Sequence, residues 1–154
     1  MIDKPYIVKI AAQKTAVIRL TIPKPDIRKV MGPGYQELMA AVAAQGVEPA
    51  GAWFTHHLTM DPATWDFEIG VPVRTPVTPA GRVAPGQLPA ATVARTTSSG
   101  PYEGLPSAWG EFDAWIKAEG RAPAPDLWEC YVAGPESDTD SARWRTELNR
   151  PLRL

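Results

Sequence analysis

The sequence is poor in cysteine, in charge bias and in long apolar runs, and each shortage removes a class of protein. Cys130 is the only cysteine among 154 residues, so no internal disulfide and no cysteine-based zinc cluster can form. With 16 basic and 17 acidic side chains the net charge is −1, which argues against nucleic-acid binding by general electrostatics. No apolar run reaches the ~20 residues that cross a bilayer. The start, MIDKPYIVKIAAQKTAV, lacks the basic segment and long apolar core of a secretion signal. A cytoplasmic location away from membranes is expected. There is no GxGxxG, phosphate-binding loop, HExxH or Gly-x-Ser-x-Gly elbow. His56 and His57 have no further histidine to complete a metal site, so neither metal nor cofactor is expected.

What is present suits a globular chain: 44% hydrophobic, 21% charged, with six tryptophans. Proline is frequent, 17 of 154, and four of these fall in RTPVTPAGRVAPGQLPA (74–90). That run reads as a connector between two halves, with room for a short strand near Val83.

The halves overlay as an internal repeat. TAVIR (15–19) echoes ATVAR (91–95), and GYQEL (34–38) echoes PYEGL (101–105). GVEPAGAWFTHH (46–57) lies over GRAPAPDLWECY (120–131), pairing Gly46 with Gly120 and Pro49 with Pro123. EIGVPV (68–73) lies over ELNRPL (147–152), pairing Glu68 with Glu147 and Pro72 with Pro151. Each copy reads strand, helix, strand, strand. Tyr35, Leu38, Met39 and Val42 make one apolar helix face, and Tyr102, Leu105, Trp109, Phe112 and Ile116 a broader one. Gly46 and Gly120 are placed to end the helices at C′. Pro101 suits the first helical position, Glu103 the first turn, and Thr97–Ser99 a loop and cap. The expected fold is α+β: two βαββ units (about 5–73 and 91–154) related by a pseudo-twofold axis in one domain. Antiparallel sheet would pack with two main helices around a central ligand crevice.

An acid inside the apolar segment PDLWECYVAGP (125–135) marks the candidate site. Alternation puts Leu127, Glu129 and Tyr131 on one strand face and Trp128, Cys130 and Val132 on the other, which reads as the helix side. Cys130 then reads as a small core residue. By the repeat, Trp53, Thr55 and His57 correspond to Leu127, Glu129 and Tyr131. A carboxylate among apolar side chains is costly without a partner. It can serve a flat or cationic ligand stacked on aromatic faces. The structural alternatives are a Glu129 on an exposed strand face or paired with Arg143 or Arg145, a core Tyr131 and a structural or solvated His57. Trp109, Phe112 and Trp115 read as core or helix surface. Glu68 and Glu147 read as hydrogen-bond acceptors serving the fold.

LPAATVA, SGPYEGLPSAW, WIKAEGRAP, LWECYVAGP and WRTELNRPL occur in that order. They resemble the GyrI-like small-molecule-binding domain family, the effector-binding module of multidrug-sensing transcription activators. The likeness covers residues 5–152. It implies tandem βαββ (SHS2) modules and a pocket glutamate at the position of Glu129 that meets cationic aromatic ligands. The implied ligand set is Glu129, Tyr131, His57, Trp53, Thr55 and Leu127, with Tyr102 and Trp65 as further aromatic surface. Some stand-alone relatives resemble hydrolases of cyclopropane-bearing alkylators, and on that reading Glu129, Tyr131 and His57 are catalytic. Others resemble protein inhibitors, a third function class. His57 stands where the family commonly has tyrosine, and an imidazole can handle protons near neutral pH. The strand pattern begins close to Met1, so no direct DNA binding is expected, and a separate protein partner would have to supply it. The leading expectation is a small-molecule receptor.

Overall fold

The computed structural model describes residues 2–153. Its strands are β1 (Tyr6–Ile10), β2 (Gln13–Pro23), β3 (Phe54–Met60), β4 (Thr64–Pro72), β5 (Ala84–Leu88), β6 (Ala91–Ser99), β7 (Leu127–Ala133) and β8 (Arg145–Pro151). The helices are α1 (Ile27–Ala44) and α2 (Leu105–Ala118). The chain divides into two compact units, Ala11–Ala90 and the residues through Ile10 together with those from Ala91 onward. The fold is α+β, and none of the described helices is long and apolar enough to cross a membrane.

Each unit has the same plan. In the first, the strands lie in the order β5-β2-β4-β3, all antiparallel. In the second, β1-β6-β8-β7 repeats that order. The edge strands β5 and β1 are each drawn from the chain ahead of the other repeat. Apolar periodicity explains the helix packing. Leu38 and Val42 of α1 are fully buried against Ile18, Phe67 and Ile69. In α2, Ala108, Phe112 and Ile116, at four-residue spacing, cover Ala94 and Leu148. The lack of a side chain at Gly34 brings α1 down onto Ile69, whose Cδ1 a Cβ would overlap.

The helices end alike, as expected. Gly46 and Gly120 take φ of +67° and +71°. Val47 N–H bonds the Val42 carbonyl at 3.2 Å, and Arg121 N–H bonds that of Ile116 at 3.2 Å. Both are Schellman closures. Ala50 and Ala124 each bond the carbonyl of Pro72 or Pro151 at 2.8 Å, and β3 and β7 carry register shifts between His57 and Thr59 and between Tyr131 and Ala133.

Four expectations are corrected. Val73 bonds the Lys14 carbonyl and Leu152 that of Thr92. Lys14 therefore corresponds to Thr92, and the TAVIR–ATVAR overlay is two residues out of register. An even slip leaves every side chain on its proper face, which is why the pattern matched. Thr97–Ser99 are not a cap but the end of β6, paired with Arg145–Glu147. Pro101 precedes a 3-10 turn at Tyr102–Gly104, and Pro106 sits in the first turn of α2 instead.

The faces of β7 are also reversed. Glu129 pairs with Leu148, which lies under α2, so Leu127, Glu129 and Tyr131 form the helix side. Trp128, Cys130 and Val132 face away, and Val132 is 57% exposed. Glu147 lies on that second face, with Arg95 Nε at 3.4 Å and Asn149 Nδ2 at 3.2 Å. Glu68 matches it, 3.7 Å from His56 Nδ1.

Candidate ligand-binding site

Strand β7 carries Glu129 between Leu127 and Tyr131, and all three are buried. Glu129 is 9% exposed, beneath α2. Trp109, one turn before Phe112 on the buried stripe of α2, donates its indole N–H to Glu129 Oε2 at 2.6 Å. Tyr131 donates its hydroxyl to Oε1 at 2.9 Å. Both partners are neutral. Arg143 is instead engaged with Asp138 and Asp140, and Arg145 with the carbonyls of Ala142 and Trp144. Among the described residues no lysine or arginine pairs with the carboxyl. Burial pushes its pKa above the ordinary value, and the bonds from Trp109 and Tyr131 pull it only part of the way back.

Tyr102 extends this cluster. Its ring meets Tyr131 edge-on at 5.7 Å and Trp144 at 4.9 Å. Its hydroxyl is buried and makes no hydrogen bond. Burial, then the nearby Glu136 and Glu129 carboxylates, raise its pKa to about 12, so it stays a donor. Cys130, on the far face, is raised to about 12 by burial and then by Glu147, and is no nucleophile near neutral pH.

In the other unit, β3 supplies the counterparts. Trp53 lies just ahead of the strand and packs on Tyr35 of α1, ring centroids 4.7 Å apart. Thr55 is buried opposite Ile69. His57 is 8% exposed, stacked on Phe67 at 5.3 Å with Trp65 edge-on at 5.0 Å. Lys24 places its ammonium 4.2 Å over the Trp65 ring. Burial, then the positive charges of His56 and Lys24, lower the His57 pKa to about 4. The imidazole is therefore neutral near neutral pH. Among the described residues no cluster of three or more His, Cys, Asp or Glu could hold a metal ion.

The structure thus groups Glu129, Tyr131 and Tyr102 in one cluster and His57 with Trp65 in another. Sequence reasoning missed Trp109, which had been set aside as core or helix surface. The available signal was its indole N–H on a buried helix face, which requires an acceptor.

A family model described as "GyrI-like small molecule binding domain" matches residues 3–153. Among curated proteins none matches the sequence. Of solved structures, the EcmrR C-terminal domain is 23% identical with a TM-score of 0.84, covering 97% of each chain. EcmrR in complex with DNA also matches at 23% identity and a TM-score of 0.83, and this chain spans 57% of its length. SAV2435, solved bound to tetraphenylphosphonium, is 14% identical with a TM-score of 0.72, covering 98% of this chain and 94% of its own. A protein from Listeria innocua described as a hydrolase is 13% identical with a TM-score of 0.70, covering 97% and 92%.

Proposed function

The chain belongs to the GyrI-like small-molecule-binding family, and we propose that it captures amphipathic aromatic cations, with the Glu129 carboxylate as their charge partner. One observation carries the reading: a carboxyl almost wholly withdrawn from solvent holds two neutral donors and no cation among the described residues. Ionised, it bears a desolvation cost of several kcal/mol. A ligand cation at about 4 Å offsets that by roughly 4 kcal/mol at the effective dielectric of a protein site. Aromatic faces add about 0.5–2 kcal/mol each, and Tyr131, Tyr102 and Trp109 all lie around the acid. SAV2435 was solved with a cation of this kind, which supports the choice of ligand class.

The test is calorimetric titration with tetraphenylphosphonium and with neutral triphenylphosphine oxide. Wild type is expected to prefer the cation, and Glu129→Gln to lose at least about tenfold, or 1.4 kcal/mol, on the cation alone. Equal affinity for both compounds, or an indifferent Glu129→Gln, would reject the reading.

A second reading rests on the raised pKa of Glu129 beside the Tyr131 hydroxyl. A carboxyl whose pKa is raised by burial is a better general acid, here on a strained electrophile such as a cyclopropane-bearing alkylator. A similar fold has been described as a hydrolase. Ring-opened product formed in many turnovers, and lost in Glu129→Gln, is the expected result. Stoichiometric binding without product rejects it.

A further inference from the structure

Tyr102 buries a hydroxyl that the protein leaves without a partner. An unmet buried polar group is rare in folded proteins and calls for a reason. The nearest backbone cannot supply one. The turn after β7 lies against the hydroxyl so closely that a Cβ at Gly134 would overlap it. The backbone polar groups around Gly134 are already committed within the turn, and the Glu136 carboxylate, which reaches the same space over Gly134, makes no hydrogen bond to the hydroxyl. The Gly134 carbonyl accepts from Ser137 N–H at 2.9 Å, Asp138 N–H at 2.9 Å and the Ser137 hydroxyl at 3.2 Å. The Gly134 N–H is spent on Ser137 Oγ at 3.1 Å. Phenylalanine would make the same ring contacts with Tyr131 and Trp144 without the cost of a stranded hydroxyl. The ring adjoins Tyr131, whose own hydroxyl holds Glu129, and the Glu129 carboxylate is near enough to act on the Tyr102 phenol.

We propose that the Tyr102 hydroxyl is reserved for the ligand: it donates to an oxygen or nitrogen acceptor set one ring away from the ligand's positive centre, once the turn at 134–138 lifts. The site then selects aromatic cations that carry such an acceptor over purely hydrocarbon ones. This rests on the reading of Glu129 as the charge partner, and it adds a second point of recognition.

The test uses two cations of matched shape, (4-methoxyphenyl)triphenylphosphonium and (4-ethylphenyl)triphenylphosphonium, titrated into wild type and Tyr102→Phe. Wild type is expected to bind the methoxy compound about tenfold more tightly. Tyr102→Phe should erase that ratio through a loss on the methoxy compound, and melt at a higher temperature because the stranded hydroxyl is gone. A wild-type ratio near one, or a ratio that survives in Tyr102→Phe, overturns the proposal while the Glu129 reading stands. A lowered melting temperature in Tyr102→Phe also overturns it, since the hydroxyl would then be serving the fold. Absence of binding by either cation overturns both readings.

Discussion

Replacing Glu129 with glutamine should make the protein more stable at pH 8 and no more stable at pH 4. Below the ordinary glutamate value of 4.5 both proteins bury a neutral group and should melt alike. As pH rises past it, the unfolded wild-type chain releases its proton while the folded chain keeps it. The folded state then holds more protons than the unfolded one, so stability falls with rising pH, by at most about 1.4 kcal/mol per pH unit. The loss ends when the native carboxyl ionises. Burying that charge costs several kcal/mol, against about 1.5–3 kcal/mol for each bond from Trp109 and Tyr131. What is left of that cost sets the gap, and at this chain length each kcal/mol shifts the melting point by roughly 2–4 °C. Paired thermal melts from about pH 4 to about pH 8 read the gap directly. His57 titrates in the same interval but is common to both proteins, so its contribution cancels. Parallel melting curves, or a glutamine variant less stable at pH 8, would refute the reasoning.

Three further outcomes are expected. The imidazole of His57, lowered to about 4, contributes stability that is lost as pH falls from about 6.5 through 4. His57→Phe should flatten that loss, by up to about 3 kcal/mol at pH 4, in urea titrations at stepped pH. Trp109→Phe removes a donor from Glu129, so the carboxyl should titrate higher still, at a cost of about 1.5–3 kcal/mol to the ionised form; carboxyl carbon NMR checks this, and an unmoved titration contradicts the bond. Gly70→Ala forces a methyl into the Phe54 ring and should cost about 1–3 kcal/mol, read from the urea midpoint; an unchanged midpoint contradicts that packing.

Much of this molecule can be read along the chain. Gly46 and Gly120 announce the helix ends because only glycine takes a positive φ there without strain. Pro72 and Pro151 mark strand ends, since proline cannot donate to a ladder. The anomaly of Glu129 is equally local, a charge among apolar neighbours. Its partners are not. The overlay of TAVIR on ATVAR failed by two residues because alternating patterns are blind to even slips. The side of β7 that meets α2 was misjudged because Leu127, Trp128, Tyr131 and Val132 leave both faces apolar in the sequence.

Periodicity, turn chemistry and the ordered repeats therefore settled the α+β class, the duplicated strand–helix–strand–strand plan and the oddity of one buried acid. These depend on backbone preferences within a few residues. Tertiary structure alone decided that Trp109 rather than Arg143 or Arg145 reaches the carboxyl, that His57 is too buried to hold a proton at neutral pH, and that the Tyr102 hydroxyl is stranded. Hydrogen bonds and desolvation act through space, so they depend on strand register and on how each helix is rotated over its sheet.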